Sequence, residues 1–202
     1  NSPNNPTGAM DSDGLVEIAL DAVGKYGGLV VVDEAYGQFA PTSALEQVAE
    51  DRALLVTRTF SKTWALAGIR LGYLLGPSWC VEELEKVILP YHLGAVTQLA
   101  GVLALDHEVE MSARVESLVA ERERLSSCLE ELGVTVWPSS ANFVLFRPES
   151  GPRNRVWSGL LDRSVLVRDF SSGEGLNGCL RVTIGTQEEN DRFLVALREV
   201  LA

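Results

Sequence analysis

Only three lysines stand beside fourteen arginines in this sequence, and one of the three is placed for chemistry. Lys62 lies in Arg58-Thr59-Phe60-Ser61-Lys62-Thr63-Trp64, directly after a short apolar run and among hydroxyls and aromatic rings. The carboxyl end of a strand in an open α/β sheet is where ligands bind, and an amine partly desolvated there becomes a nucleophile toward carbonyl groups. Lys25 and Lys86, in charged helical surroundings, read as solvated surface amines. Asp33-Glu34 closes a second apolar run, where a carboxylate needs a cation or a hydrogen-bond donor. Glu34 reads as a cap or ion-pair partner. Asp33 either does the same or holds a proton on a ligand nitrogen, and Tyr36, three residues on, offers a phenol to the same ligand. Asn4-Asn5-Pro6-Thr7-Gly8 has the composition of a turn: the proline fixes one φ, the glycine permits a positive one and the asparagines bond locally. Pro6 removes Asn5 as a glycosylation acceptor.

These groups need elements to hold them. Apolar positions at helical spacing run over 13–26 and stop at Gly27-Gly28. Leu29-Val30-Val31-Val32-Asp33 has the pattern of a strand buried on both faces, and 53–59 and 71–75 repeat it. Residues 1 to about 95 therefore read as α/β with a largely parallel sheet. From 95 to 132 the pattern turns helical, with 111–132 charged on one side and apolar on the other. Short strand candidates follow at 134–136, 142–146, 165–168 and 179–184, then a closing helix over 187–201. This second half reads as a small α+β domain.

Composition narrows the class. With 202 residues the chain can bury a core, and 46% hydrophobic and 22% charged residues are ordinary globular values. The net charge of −11 argues against nucleic acid or an anionic membrane as partner. No apolar run is long enough to span a bilayer. Cys80, Cys128 and Cys179 are odd in number and far apart, reading as reduced cytosolic thiols rather than disulfides or zinc ligands. His92 and His107 have no partner at metal spacing, so no metal is expected. Gly173-Glu174-Gly175-Leu176-Asn177-Gly178 fits a dinucleotide fingerprint by letter, but a strand follows where a helix is required.

In order along the chain, Asn4-Asn5-Pro6-Thr7-Gly8, Val31-Val32-Asp33-Glu34-Ala35-Tyr36, the stretch from Thr59 to Tyr73 and Leu180-Arg181-Val182-Thr183-Ile184-Gly185-Thr186 resemble the fold-type I pyridoxal-phosphate aminotransferases of class I/II. The likeness is nearest to the histidinol-phosphate aminotransferases, with Leu166-Val167-Arg168-Asp169-Phe170 and Gly185-Thr186-Gln187-Glu188-Glu189-Asn190 in support. The resemblance implies the α/β PLP-dependent transferase fold: 1–105 as the C-terminal part of the large cofactor-binding domain, 106–202 as the small domain. It implies pyridoxal 5'-phosphate as cofactor, with Lys62 forming the internal aldimine and moving the proton between substrate and cofactor. Asp33 would hold the ring nitrogen protonated, which makes the ring an electron sink. Asn5 and Tyr36 would bond the ring 3'-oxygen. Thr59, Ser61 and Arg70 would cradle the phosphate. Arg181 would clamp the substrate α-carboxylate, Arg168 and Asn5 would help hold the substrate, and Asn142-Phe143 would line the site in a structural role.

The implied activity is transamination of histidinol phosphate with glutamate/2-oxoglutarate in histidine biosynthesis, by a cytoplasmic homodimer. A threonine-phosphate decarboxylase and a non-catalytic cofactor-binding module of a regulator resemble the same motifs. Gln38 stands where the histidinol-phosphate enzymes often carry an acidic residue. The sequence opens on turn residues without an initiator Met, a basic start or an apolar stretch, so no signal peptide is expected. A missing N-terminal part is, and with it a chain inactive and poorly stable alone.

Overall fold

The computed structural model describes residues 1–148 and 153–202. In chain order the elements are α1 (Leu15–Gly24), β1 (Val30–Asp33), β2 (Leu54–Thr59), β3 (Gly72–Leu75), α2 (Ser78–Glu85), α3 (Ala95–Leu105), α4 (Glu108–Glu131), β4 (Val134–Val136), β5 (Phe143–Pro148), α5 (Arg153–Asp162), β6 (Arg168–Asp169), β7 (Leu180–Thr183) and α6 (Gln187–Leu201). The chain divides into two units, Asn1–Pro3 with Met10–Val115 and Asn4–Ala9 with Glu116–Ala202, so the division falls within α4. Among the described residues no helix is long and apolar enough to cross a membrane.

The first unit is built on a three-stranded sheet in the order β1-β2-β3. β1 and β2 are parallel, which puts Asp33 opposite Thr57. The 34–53 connection is long enough for the crossover that parallel strands require. β3 instead runs antiparallel to β2, with Gly72 opposite Thr59. The loop between them holds only a 3-10 turn at Ala67–Ile69; with no crossover helix, β3 returns alongside β2, and the expected largely parallel sheet is a mixed one. This topology gathers Asp33, the Lys62 loop and Arg70 at one end of the sheet. The three strands are also unequal in burial. Central β2 buries Leu54, Leu55 and Val56, whereas Val31 on edge strand β1 is 55% exposed, so the expectation of two-faced burial holds for β2 alone.

The second unit carries a four-stranded antiparallel sheet in the order β4-β5-β7-β6. Its core joins Leu125 and Leu129 of α4, Val144 and Phe146 of β5, Leu160 of α5, Val182 of β7, and Phe193 and Leu197 of α6. The strand expected over 165–168 shortens to Arg168–Asp169, because the Arg163, Ser164 and Val165 amides still bond the Leu160 and Leu161 carbonyls that end α5. α6 opens with a capping box: Thr186 accepts from the Glu189 amide, and the Glu189 carboxylate accepts from the Thr186 amide. Asn190, Phe193, Leu194 and Leu197 then fall on its buried face.

Asn190 ties α6 to α4 by donating to Glu121 Oε2 at 2.9 Å, beside the 2.9 Å Arg124–Glu121 ion pair. The Arg124 hydrogen bond holds the Glu121 carboxyl below the usual carboxylate range; partial burial opposes it and the Asn190 bond reinforces it. A carboxylate depressed in the fold stabilises it above the unfolded pKa and loses that contribution as pH falls through the folded value. The urea midpoint of the second unit should therefore be flat above about pH 5 and drop below about pH 4. In Glu121→Gln the acid-side drop should be visibly smaller; an unchanged slope would show that the pair is screened.

Candidate active site

At the end of the first sheet, Asp33 Oδ1 accepts from the Ala35 amide at 3.0 Å and from Thr57 Oγ1 at 3.4 Å, which fixes the direction of an exposed carboxylate. Tyr36 follows, buried at 7% exposure, and the Lys62 Nζ stands 5.3 Å from the centroid of its ring, within the range of cation–π attraction. The loop bearing Lys62 is tightly drawn. The Phe60 amide bonds the Leu71 carbonyl, the Leu66 amide bonds the Phe60 carbonyl, and the Phe60 ring lies 5.5 Å from both Trp64 and Tyr73. Ala65 (φ 56°) and Arg70 (φ 54°) both take the left-handed backbone conformation, a cost of ~1 kcal/mol or more each for a residue with a β-carbon.

Arg70 Nη1 donates to Ser61 Oγ at 3.4 Å and to the Ala67 carbonyl at 3.0 Å, so a guanidinium and a hydroxyl converge. That donor pair suits a phosphate. Thr59 is engaged differently. Its hydroxyl donates to the Leu71 carbonyl at 3.3 Å and accepts from the Ser61 amide at 3.0 Å, shaping the turn that presents Ser61. A carboxylate, a phenol, an amine and a guanidinium–hydroxyl pair thus meet at one sheet end, and they fit the ring nitrogen, ring oxygen, aldehyde and phosphate of pyridoxal phosphate.

The second unit holds another group. Gly8 has φ 76°, and a β-carbon there would run into the Ser139 side chain; its carbonyl accepts from the Ser140 amide at 2.7 Å. The Asn4–Gly8 turn is thereby fixed to this unit, and Asn5 Oδ1 accepts from Arg181 Nη1. The Arg181 guanidinium carbon lies 4.5 Å from the Phe143 ring centroid and 5.3 Å from that of Phe170. Arg168 is the direct cross-strand partner of Arg181, and its guanidinium carbon is 5.9 Å from the same Phe170 ring. Directly opposed residues of an antiparallel pair share a face, and like charges so placed destabilise a sheet. Both arginines are instead held against aromatic rings.

Several contributors carry no signal in the sequence. Phe170 touches both arginines, yet an aromatic after Arg168-Asp169 looks like core filling. Phe143, read as structural, packs directly on Arg181. Glu34 is the ion-pair partner anticipated, 3% exposed and joined to Arg58 at 2.8 Å. Its carboxylate also accepts from the Ala44 amide at 2.6 Å and from Ser43 Oγ. The 173–178 glycine segment is a loop leading into β7. His107 Nδ1, in the exposed turn just before α4, is 3.6 Å from Glu110, and among the described residues no three His, Cys, Asp or Glu gather as a metal site.

Comparison with known proteins bears on the family of the chain. The family model for aminotransferase class I and II matches residues 1–197. The chain is 47% identical to a histidinol-phosphate aminotransferase of Rhodococcus opacus (strain B4), over 100% of this chain and 51% of that protein. It is 43% identical to one of Methylibium petroleiphilum, over 99% of this chain and 54% of that one. The crystal structure of histidinol-phosphate aminotransferase from Sinorhizobium meliloti in complex with pyridoxal-5'-phosphate superposes with a TM-score of 0.85 at 25% identity, over 99% of this chain and 55% of that chain. The chain spans about half the length of the curated relatives it matches.

Proposed function

The chain belongs to the class I and II aminotransferases, and on that premise we propose that it carries the lysine-bearing part of a pyridoxal-phosphate site that transfers the amino group between histidinol phosphate and glutamate/2-oxoglutarate. The observation that carries the reading is the Lys62 amine 5.3 Å from the buried Tyr36 ring. It is the one lysine of three that follows a sheet strand. The relatives at 43% and 47% identity, both histidinol-phosphate aminotransferases, suggest the substrate class.

Pyridoxal phosphate, when bound, supplies an electron sink for charge left at the substrate α-carbon. In this proposal Ser61 and Arg70 hold its phosphate, with Thr59 shaping their turn. Asp33 keeps the ring nitrogen protonated, and Tyr36 and Asn5 hydrogen-bond the ring oxygen. Lys62 takes the proton from the substrate α-carbon and returns it, a general acid–base role. Arg181 grips the α-carboxylate of glutamate/2-oxoglutarate, where a planar fork suits a planar anion, while Arg168 and Asn5 help to hold the substrate. The same reading makes 1–105 part of the cofactor-binding domain and 106–202 the small domain of a cytoplasmic homodimer.

Mixing the complete reading frame that carries this chain with pyridoxal phosphate and then borohydride should fix the cofactor mass on the Lys62 peptide and leave Lys25 and Lys86 unmodified. A tag spread over all three lysines, or none at all, defeats the proposal. With substrate, formation of 2-oxoglutarate's amino counterpart from histidinol phosphate is expected; carbon dioxide release from a phosphorylated threonine would identify a decarboxylase instead.

A further inference from the structure

We propose that Gln38, Thr63 and Arg114 form a brace that positions the Lys62 amine, a role that rests on the reading of Lys62 given above. Thr63 directly follows Lys62 and is only 2% exposed. Its two polar groups are satisfied from two different elements. The hydroxyl donates to Gln38 Oε1 at 2.6 Å, and the carbonyl accepts from Arg114 Nη2 of α4. Gln38 belongs to the 3-10 turn Gly37–Phe39, which begins one residue after Tyr36. The turn and the loop are therefore stitched at two successive points, Tyr36 to Lys62 and Gln38 to Thr63. A lysine stem is long and flexible, so fixing its own ring contact does little unless the backbone that launches it is fixed as well.

The turn itself is anchored. The Gly37 amide donates to the Glu34 carbonyl at 2.9 Å, and a β-carbon on Gly37 would meet the Glu34 carboxylate, itself locked by Arg58. The brace thus transmits the position of the buried Glu34–Arg58 pair to the residue beside Lys62. It also accounts for Ala65 at φ 56° two residues on, since such a conformation persists only where the surroundings over-determine it. An amide oxygen at position 38 receives the Thr63 hydroxyl without bringing a negative charge toward the amine. Gln38, Thr63 and Arg114 are positioning residues: each acts through Lys62.

The test uses the complete reading frame, brief treatment with an amine-reactive acylating reagent, and mass spectrometry of the three lysyl peptides. Lys25 and Lys86 serve as references inside the same molecule. Thr63→Val, nearly isosteric but without the hydroxyl, should change the Lys62-to-Lys25 labelling ratio by about fivefold, the scale of one neutral hydrogen bond. Gln38→Leu should do the same. Thr63→Ser, which keeps the donor and adds no charge, should return the ratio toward that of the parent protein. A ratio unmoved in Thr63→Val, or equally moved in Thr63→Ser, overturns the brace. Should Thr63→Val label all three lysines alike through unfolding, Gln38→Leu and Thr63→Ser decide: a ratio unmoved in Gln38→Leu, or moved about fivefold in Thr63→Ser, overturns the brace, and a ratio moved in Gln38→Leu alone upholds it. A failed borohydride tag on the parent protein would defeat the cofactor reading separately from the brace.

Discussion

Replacing Lys62 with alanine is expected to lower amino-transfer turnover by about 10⁴-fold, the upper end of what one positioned acid–base group contributes. Two features of the site set that expectation. Lys62 is exposed and projects from a loop rather than into the core, so its removal should leave stability within about 0.5 kcal/mol and the loss should fall on chemistry. No other lysine substitutes for it, since Lys25 caps the end of α1 and Lys86 pairs with Glu83 beyond α2. Lys62→Arg should be nearly as inactive as Lys62→Ala, because a guanidinium remains protonated and cannot take up the α-proton. Lys25→Ala should keep parent turnover. The measurement is steady-state turnover with pyridoxal phosphate at saturating donor and acceptor, paired with urea midpoints to confirm an intact fold. Lys62→Ala turnover within tenfold of the parent would remove Lys62 from the mechanism.

The sequence makes some of this site legible and hides the rest for identifiable reasons. Lys62 stands out because its neighbours are hydroxyls and rings rather than charges, and because an apolar strand precedes it. Asp33 stands out because a carboxylate ends a run of valines. Arg181 does not: on a short strand its periodicity equals that of an exposed residue, and only the order of motifs along the chain assigns it a ligand. Phe170 and Thr63 are hidden more deeply. Their roles depend on partners 11 and 25 residues away, brought together by strand register in one case and by a 3-10 turn in the other. The two-faced burial expected of β1 fails at Val31 because a run of β-branched residues reports strand propensity, whereas burial depends on whether a strand is central or at an edge. The antiparallel return of β3 was legible only in the absence of a helical repeat between 60 and 71.

Glu34→Ala should destabilise the first unit by ~3–5 kcal/mol, the loss typical when one member of a buried ion pair is removed. The side chain is 3% exposed and Arg58 only 13%, so neither charge is freely screened by water. Arg58 would keep Ser43 Oγ at 2.8 Å as a neutral partner, and the Ala44 amide would lose its acceptor. The guanidinium would then be a buried charge with no counter-charge, which costs more than the pair itself ever contributed. The same logic predicts that replacing both residues with apolar ones of similar size, Glu34→Met with Arg58→Leu, restores much of the midpoint. Stability and site should part company in that double variant. The apolar pair can fill the volume, but it cannot bond Ser43 and the Ala44 amide or fix the turn behind Gly37, so Tyr36 and Gln38 lose their anchor. Urea midpoints for the two variants, read beside borohydride tagging of Lys62, check the argument: a Glu34→Ala loss below about 1 kcal/mol would mean that water already screens the pair. A double variant that regains both stability and tagging would show that filling the space, rather than the charge, orients the sheet end on which Asp33 and Lys62 stand.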